Sequence, residues 1–206
     1  EDAADELATE SLSFSTLKIT FDNVYGEQDL VLNSPLSVNS QEETLTVTDL
    51  KYIVSNIVLT KADGTLFRYP KEDSYFIVME QKEDSKTITL ENVPTGDYKS
   101  VQFGIGVDEA QYNLGVDGMG SFGEYANLNH MLWAWSAGYR FLVFEGNFIS
   151  PTVTTAADYE IHVGKAGGNY NYVDAIVSFG QKLQLKNAAT STLFIETDAK
   201  KRIDGT

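Results

Sequence analysis

Apolar and polar residues alternate with a period of two over most of this chain, which is the pattern of β-strands with one buried face. The stretch LKITFDNVYG places Leu17, Ile19 and Phe21 on one face and ends at Gly26. The pattern predicts about ten strands with little helix, folded as an antiparallel β-sandwich or Greek key. The other stretches that carry it are DLVLN, TLTVTDLKYIVSNIVLTK, LFRY, YFIVME, KTITLENV, DYKSVQFGIG, GYRFLVFEG, DYEIHVG, YVDAIVSFG, KLQLKN and STLFIETD.

Two stretches depart from the alternation. Residues 48–55 are compatible with either a strand or a single helical turn, for which Asp49 would be the cap. Residues 108–129 are irregular and rich in glycine, which predicts a long loop that is functional or mobile. We expect one domain over residues 13–198, between an acidic flexible tail (residues 1–12) and a C-terminal tail (residues 199–206).

The charge and the cysteine content exclude several classes of function. The chain has 206 residues, a formal net charge of −15 and no cysteine. The excess of acidic residues argues against binding to nucleic acid or to an anionic membrane surface. Without cysteine, disulfides, thiolate metal sites and cysteine nucleophiles are excluded. Cations and basic partners remain open.

The composition also suggests a location. No run of apolar residues is long enough for a transmembrane helix. The sequence begins with EDAADELATES, which is acidic and lacks both an initiating Met and a signal peptide. We therefore expect the mature form of an exported bacterial protein, in the periplasm or at the cell surface, with a possible lipid anchor on the full-length precursor.

Residues 129–146, NHMLWAWSAGYRFLVFEG, concentrate the residues that carry chemistry. If the chain is extended from His130, Met131, Trp133 and Trp135 share one face, with His130 on the other. A thioether beside indoles and an imidazole suits a thiophilic cation, and the same residues suit a packed core. In the following strand, one face holds Tyr139, Phe141, Val143 and Glu145, and the other holds Arg140, Leu142 and Phe144.

Signals for catalysis are weak, and we expect a non-enzymatic protein. No G-x-S-x-G nucleophile motif is present, and the chain has only two histidines to share among all sites. Glu145 has no second carboxylate at a predictable distance for acid–base catalysis. The acidic and amide side chains of residues 108–129 lack the spacing of a dedicated Ca²⁺ loop; these are Asp108, Glu109, Asn113 and Asp117.

Four segments together resemble one protein family. YIVSNIVLTKADG, VPTGDYKSVQFGIGVD, HMLWAWSAGYRFLVFEG and YEIHVG follow the order and approximate spacing of the methanobactin-binding periplasmic protein-like (MbnP-like) family. The resemblance covers residues 14–196. It implies an all-β sandwich that holds Cu(I) through imidazoles and a tryptophan oxidised to kynurenine, with the oxidation attributed to a di-haem peroxidase-like partner.

The resemblance also nominates residues. The histidine of YEIHVG is His162, and the tryptophans of MLWAWSAGY are Trp133 and Trp135. His130 is the other candidate ligand, and Met131 lies between it and the tryptophans. His130 and Trp133 reach one site only if the chain turns or bulges near Met131.

Two functions remain in competition. In the first, the protein sequesters Cu(I), with His130 and His162 as ligands and Trp133, or its oxidised product, as a third group. Because the ligand is neutral imidazole, the affinity falls as the pH drops through the histidine pKa. In the second, the protein is a surface module for a glycan, peptide or protein, with structural histidines and with exposed Tyr170 and Tyr172 as the contact residues.

Overall fold

The computed structural model describes residues 12–134 and 138–204. Within these residues the chain forms twelve strands in two sheets and three short α-helices, which confirms the predicted all-β sandwich. The elements are β1 (Phe14–Tyr25), β2 (Gln28–Asp29), β3 (Thr44–Lys61), β4 (Leu66–Arg68), β5 (Tyr75–Met79), β6 (Thr87–Pro94), β7 (Gly96–Ile105), α1 (Glu109–Tyr112), α2 (Ser121–Leu128), β8 (Arg140–Ile149), β9 (Ala157–Ala166), β10 (Asn169–Tyr170), β11 (Val173–Leu185), β12 (Thr190–Asp198) and α3 (Lys200–Asp204).

The smaller sheet is built on β1. The first long strand pairs in parallel with β12, from Thr16 opposite Thr190 to Val24 opposite Asp198. It also pairs in antiparallel fashion with β6 and, at its end, with β2. The sheet therefore joins the two ends of the described chain, and its β1–β12 pair departs from the antiparallel arrangement predicted throughout.

The larger sheet is built on β3, whose 18 residues pair with four other strands. Along one edge β3 pairs first with β8 and then with β7, and along the other edge with β5 and then with β4. Beyond these, β9 and β10 continue the sheet from β8, and β11 continues it from β7. Residues 48–55, ambiguous in the sequence, are strand throughout.

The positions predicted to be buried fill the space between the two sheets, which we call the inter-sheet core. Leu17, Ile19 and Phe21 of β1 are at most 2% exposed. They pack with Leu90 of β6 and with residues of the large sheet such as Tyr98. Alternation in these strands therefore reports one buried face, as expected for a sandwich.

The large sheet buries a second cluster on its opposite face, which we call the outer core. Ile53 of β3 and Phe141 and Val143 of β8 are fully buried there. Strands β3 and β8 are therefore covered on both faces. The outer core is rich in aromatic and methionine side chains, including Tyr75, Met79, Tyr112, Met119, Phe122, Met131, Tyr139, Tyr170 and Tyr172.

Two glycines of the FGIG segment let aromatic rings of the outer core lie directly on the backbone at the end of β7 and just after it. A Cβ atom at Gly104 would lie 2.0 Å from the Tyr172 hydroxyl oxygen, and one at Gly106 would lie 2.5 Å from the Phe141 ring. Gly106 also has a φ of 111°, which disfavours any residue with a side chain. These glycines serve packing.

Residues 108–129, predicted to be an irregular loop, contain two α-helices and a 3-10 turn that cover the outer core. The prediction missed α2 for a physical reason. Its only buried residues are Gly123 and Ala126, and its large side chains Phe122 and Tyr125 are only partly buried, so no stripe of fully buried apolar side chains marks it. A Cβ at Gly123 would lie 2.2 Å from the carbonyl oxygen of Val116, which shows how closely α2 approaches the preceding chain.

The C-terminal region after β12 forms α3, where the sequence predicted only a tail from residue 199. The side chain of Asp198 accepts hydrogen bonds from the backbone N–H groups of Gly26 (2.9 Å) and Lys200 (2.9 Å), which ties the start of α3 to β1. Over the described ranges, none of the helices has the length and apolar character needed to cross a membrane.

Candidate metal centre at the rim of the outer core

His130 lies two residues after the end of α2. Its φ is 58°, in the left-handed region, so the chain is not extended there, and the expected placement of His130 on the face opposite Met131 and Trp133 does not apply. The N–H of His130 donates to Asn127 O (3.1 Å) and that of Met131 donates to Ala126 O (2.8 Å). These two bonds form a Schellman motif, in which the left-handed residue is usually glycine. His130 is an exposed residue.

After this turn, the chain forms a hairpin arm that carries Trp133. The N–H of Trp133 donates to Gly138 O (2.9 Å), and the N–H of Arg140 donates to Met131 O (2.8 Å). Leu132 bridges Tyr139 on the returning arm. The second tryptophan, Trp135, lies outside the described residues, and its predicted role remains a prediction.

Met131 points away from any exposed site. It is fully buried within the outer core, where its side chain packs among apolar residues. In this position the thioether fills space in the core, which was one of the two interpretations that the sequence left open.

A β-bulge at the start of β8 turns Arg140 toward Trp133. In the register with β9, Arg140 is opposite Gly164 and Leu142 is opposite Val163, so Phe141 is an extra residue. The guanidinium carbon of Arg140 lies 5.3 Å from the centre of the Trp133 ring, a cation–π contact. Alternation in the sequence predicted Arg140 and Leu142 on the same face of the strand, and the bulge between them breaks this alternation.

Gly164 leaves room for the indole. A Cβ atom at this position would lie 3.1 Å from Trp133 Nε1 and 2.6 Å from the carbonyl oxygen of Tyr139. The glycine of YEIHVG therefore allows the hairpin arm to lie against β9. The residue two positions earlier on the same face of β9 is His162.

His162 lies beside Trp133. The two ring centres are 5.8 Å apart with an angle of 65° between the planes, an edge-to-face contact. Nε2 of His162 lies 2.5 Å from Glu145 Oε1 on the neighbouring strand β8. The side chain of His162 is 15% exposed, so the imidazole reaches solvent at the rim of the outer core.

The structure therefore joins two of the five predicted site residues, Trp133 and His162. In the part of the chain that it describes, the His130 side chain has no hydrogen bond, ion pair or ring contact with His162. Throughout residues 12–134 and 138–204, no group of three or more His, Asp or Glu side chains could hold a metal ion.

Sequence reasoning missed the roles of Glu145 and Arg140 at this rim. Glu145 was considered only as an isolated carboxylate, because its contact depends on the β8–β9 register, in which Val143 is opposite His162. The contact of Arg140 with Trp133 depends on the bulge at the start of β8. Alternation did place Glu145 on one face of β8, and this was the available signal.

The tyrosines of the surface-module hypothesis and the acidic residue Asp108 make structural contacts. Tyr170 and Tyr172 are partly buried rather than exposed: Tyr170 donates a hydrogen bond to Val107 O, and the Tyr172 ring covers Gly104. These two tyrosines are therefore less exposed than the surface-module hypothesis expected. Among the Ca²⁺ candidates, Asp108 is bound by Lys71 Nζ (3.0 Å).

A comparison with protein-family models gives a match to MbnP over residues 14–206. The chain belongs to the MbnP family. The match confirms the resemblance drawn from the four segments, all of which contribute to the outer core or its rim. A comparison with curated proteins gives no significant match.

Among solved structures, this MbnP-family chain is similar to MbnP from Methylosinus trichosporium. The TM-score is 0.53 at 15% sequence identity, and the match covers 82% of this chain and 72% of that chain. At this identity the likeness establishes the shared fold.

Proposed function

We propose that this MbnP-family protein is an exported, non-catalytic protein that binds Cu(I) at the rim of the outer core, with His162 as a ligand beside Trp133. The observation that carries the proposal is the contact between these two side chains, at 5.8 Å between ring centres. They come from two separate segments of the family resemblance, so the fold brings together two of the residues that the resemblance nominated.

The chemistry of the rim suits a soft monovalent cation. Cu(I) accepts two or three ligands of the imidazole or thioether type and needs no cage of carboxylates. His162 supplies an imidazole, and the indole of Trp133 packs against it edge-to-face. The net charge of −15 favours the approach of cations. The residues present thus fit Cu(I) better than they fit Ca²⁺ or Zn²⁺.

His130 remains a predicted second ligand in this proposal. The chain does turn at His130, as the sequence required for a shared site, and His130 lies three positions before Trp133. Its exposed imidazole follows the last turn of α2.

The same proposal includes the location and a partner. We place the protein in the periplasm or at the cell surface, and we assign it a di-haem peroxidase-like partner that oxidises a tryptophan of the hairpin. Family membership supports both assignments. Peptide mass spectrometry of native material tests the partner, because an unaltered mass at both Trp133 and Trp135 contradicts it.

A competition titration tests the copper site. Cu(I) is added to the protein together with a chromogenic Cu(I) chelator, for the wild type and for His162→Ala and His130→Gly. We expect the wild type to withdraw one equivalent from the chelator and His162→Ala to lose this ability. Glycine suits the left-handed backbone at position 130, so His130→Gly removes that imidazole without strain. A wild type that does not compete contradicts the proposal.

A further inference from the structure

The contact between Glu145 and His162 is a defined feature of the β8–β9 pair. In the register, Val143 is opposite His162 and Glu145 is opposite Glu160, so Glu145 and His162 are diagonal neighbours on one face of the sheet. Their side chains meet at 2.5 Å between Oε1 and Nε2, with side-chain exposures of 29% for Glu145 and 15% for His162. Both strands hold their positions through backbone pairing.

This contact determines where the imidazole carries its proton. An ionised carboxylate only accepts hydrogen bonds, so Nε2 of His162 must be the donor. In the neutral ring, the lone pair is then on Nδ1. Within residues 12–134 and 138–204, Nδ1 has no hydrogen-bond partner, and it is not a buried atom.

We infer that Glu145 is a positioning residue: it fixes His162 in the tautomer protonated at Nε2 and thereby makes Nδ1 the atom that binds a metal ion. The metal half of this inference rests on the proposed function. The tautomer half concerns the metal-free protein and stands by itself.

The arrangement matches a general feature of metal-binding histidines. Such residues usually donate their second ring N–H to a carboxylate or carbonyl group, which fixes the ring orientation and raises the basicity of the ligand atom. Here Glu145 restrains one edge of the ring, and Trp133 packs against the ring at 5.8 Å between centres. The imidazole is thus oriented before a metal ion arrives, and binding loses less conformational freedom.

Nitrogen NMR of the metal-free protein tests the tautomer directly. The chain has only two histidines, so a ¹⁵N-histidine-labelled sample shows only two imidazoles, and the His130→Gly variant assigns them. At about pH 8, where an ordinary imidazole is neutral, we expect His162 to show a protonated Nε2 and an unprotonated Nδ1. A protonated Nδ1 overturns the inference.

Two glutamate variants distinguish the positioning of His162 by Glu145 from a general effect of a nearby negative charge. Glu145→Leu removes the acceptor, and we expect His162 to become a mixture of tautomers. Glu160→Gln removes the same charge from the residue directly opposite Glu145, and we expect the His162 spectrum to be unchanged. If Glu145→Leu leaves the tautomer unchanged, Glu145 does not set it and the inference is wrong.

Addition of Cu(I) tests the metal half. We expect the Nδ1 resonance of His162 to move on binding, and the Cu(I) affinity of Glu145→Leu to be lower by about 10- to 100-fold. A shift at Nε2 instead contradicts the assignment of Nδ1. If the tautomer is as expected but neither nitrogen responds to Cu(I), the proposed function fails while the role of Glu145 in the metal-free protein stands.

Discussion

The inter-sheet core and the outer core both bury strands β3 and β8 of the large sheet, one core on each face, but they differ in amino-acid composition. The inter-sheet core is mainly aliphatic, with Leu17, Ile19 and Leu90 at its centre. The outer core combines tyrosine, phenylalanine and methionine with the glycines of β7, and residues 108–132 cover it. The first core follows from strand alternation, whereas the second needs a specific fit between rings, glycines and short helices. The candidate metal centre lies at the rim of the second.

The largest expected difference between the two cores concerns their role in global stability. Leu90 is fully buried between the sheets, so Leu90→Ala leaves a cavity and should lower the free energy of unfolding by about 2–5 kcal/mol. Chemical denaturation measures this loss. In hydrogen exchange, we expect both sheets to lose protection, because their packing depends on this core. Loss confined to β6 contradicts the view of a shared core.

The fit of the outer core is tested by Gly104→Ala. The new methyl group would meet the Tyr172 hydroxyl at 2.0 Å, so the ring must move and lose its hydrogen bond from Asn56 Nδ2 (3.0 Å). We expect a loss of about 1–3 kcal/mol in the free energy of unfolding. In the Tyr172→Ala background, the same substitution should cost much less. Equal costs in both backgrounds would show that the ring does not press on Gly104.

The substitution Asp108→Asn tests how firmly residues 108–132, which cover the outer core, are attached to the rest of the fold. Burial by itself raises the pKa of Asp108, but hydrogen bonds from Tyr75, Asn56 and Lys71 lower it from 3.8 to about 2. The folded state therefore favours the carboxylate. This contribution is complete above about pH 4 and disappears as the pH falls toward 2.

At neutral pH, we expect Asp108→Asn to lower the free energy of unfolding by about 2 kcal/mol. Denaturation at several pH values measures the difference, which should vanish near pH 2. Glu109→Gln is the matched control, because Glu109 is the exposed neighbour in α1. A difference that does not change with pH would show that the ionised form of Asp108 is not what stabilises the segment.

The smallest expected effect is at the end of α2. His130→Gly relieves the left-handed backbone at φ 58° and should raise the free energy of unfolding by about 0.5–1 kcal/mol, whereas His130→Ala keeps the strain. Thermal unfolding of the two variants measures the difference. If alanine is as stable as glycine, residue 130 does not determine how α2 ends.

The sequence predicted the inter-sheet core because burial on one face of a strand produces alternation. In β1, every second residue from Leu17 onward is buried, as expected. The outer core was not predictable in this way. Strands β3 and β8 are buried on both faces, and α2 buries only small residues, so neither gives a simple pattern.

The candidate site was predictable only in part. Trp133 and His162 could be nominated from the family segments, but their contact requires the hairpin arm and the glycine at position 164. Glu145 and Arg140 enter the site through the β8–β9 register and its bulge. Registers and bulges depend on pairing between segments distant in sequence, which a single sequence does not encode in a local pattern.

The central claim is that Cu(I) binds at the rim of the outer core, and its location is most directly measured by anomalous diffraction at the copper edge from Cu(I)-loaded crystals. The account predicts one copper peak at bonding distance from Nδ1 of His162, with Glu145 still bound to Nε2. A copper peak remote from His162, or no peak in protein shown to be loaded, would contradict it.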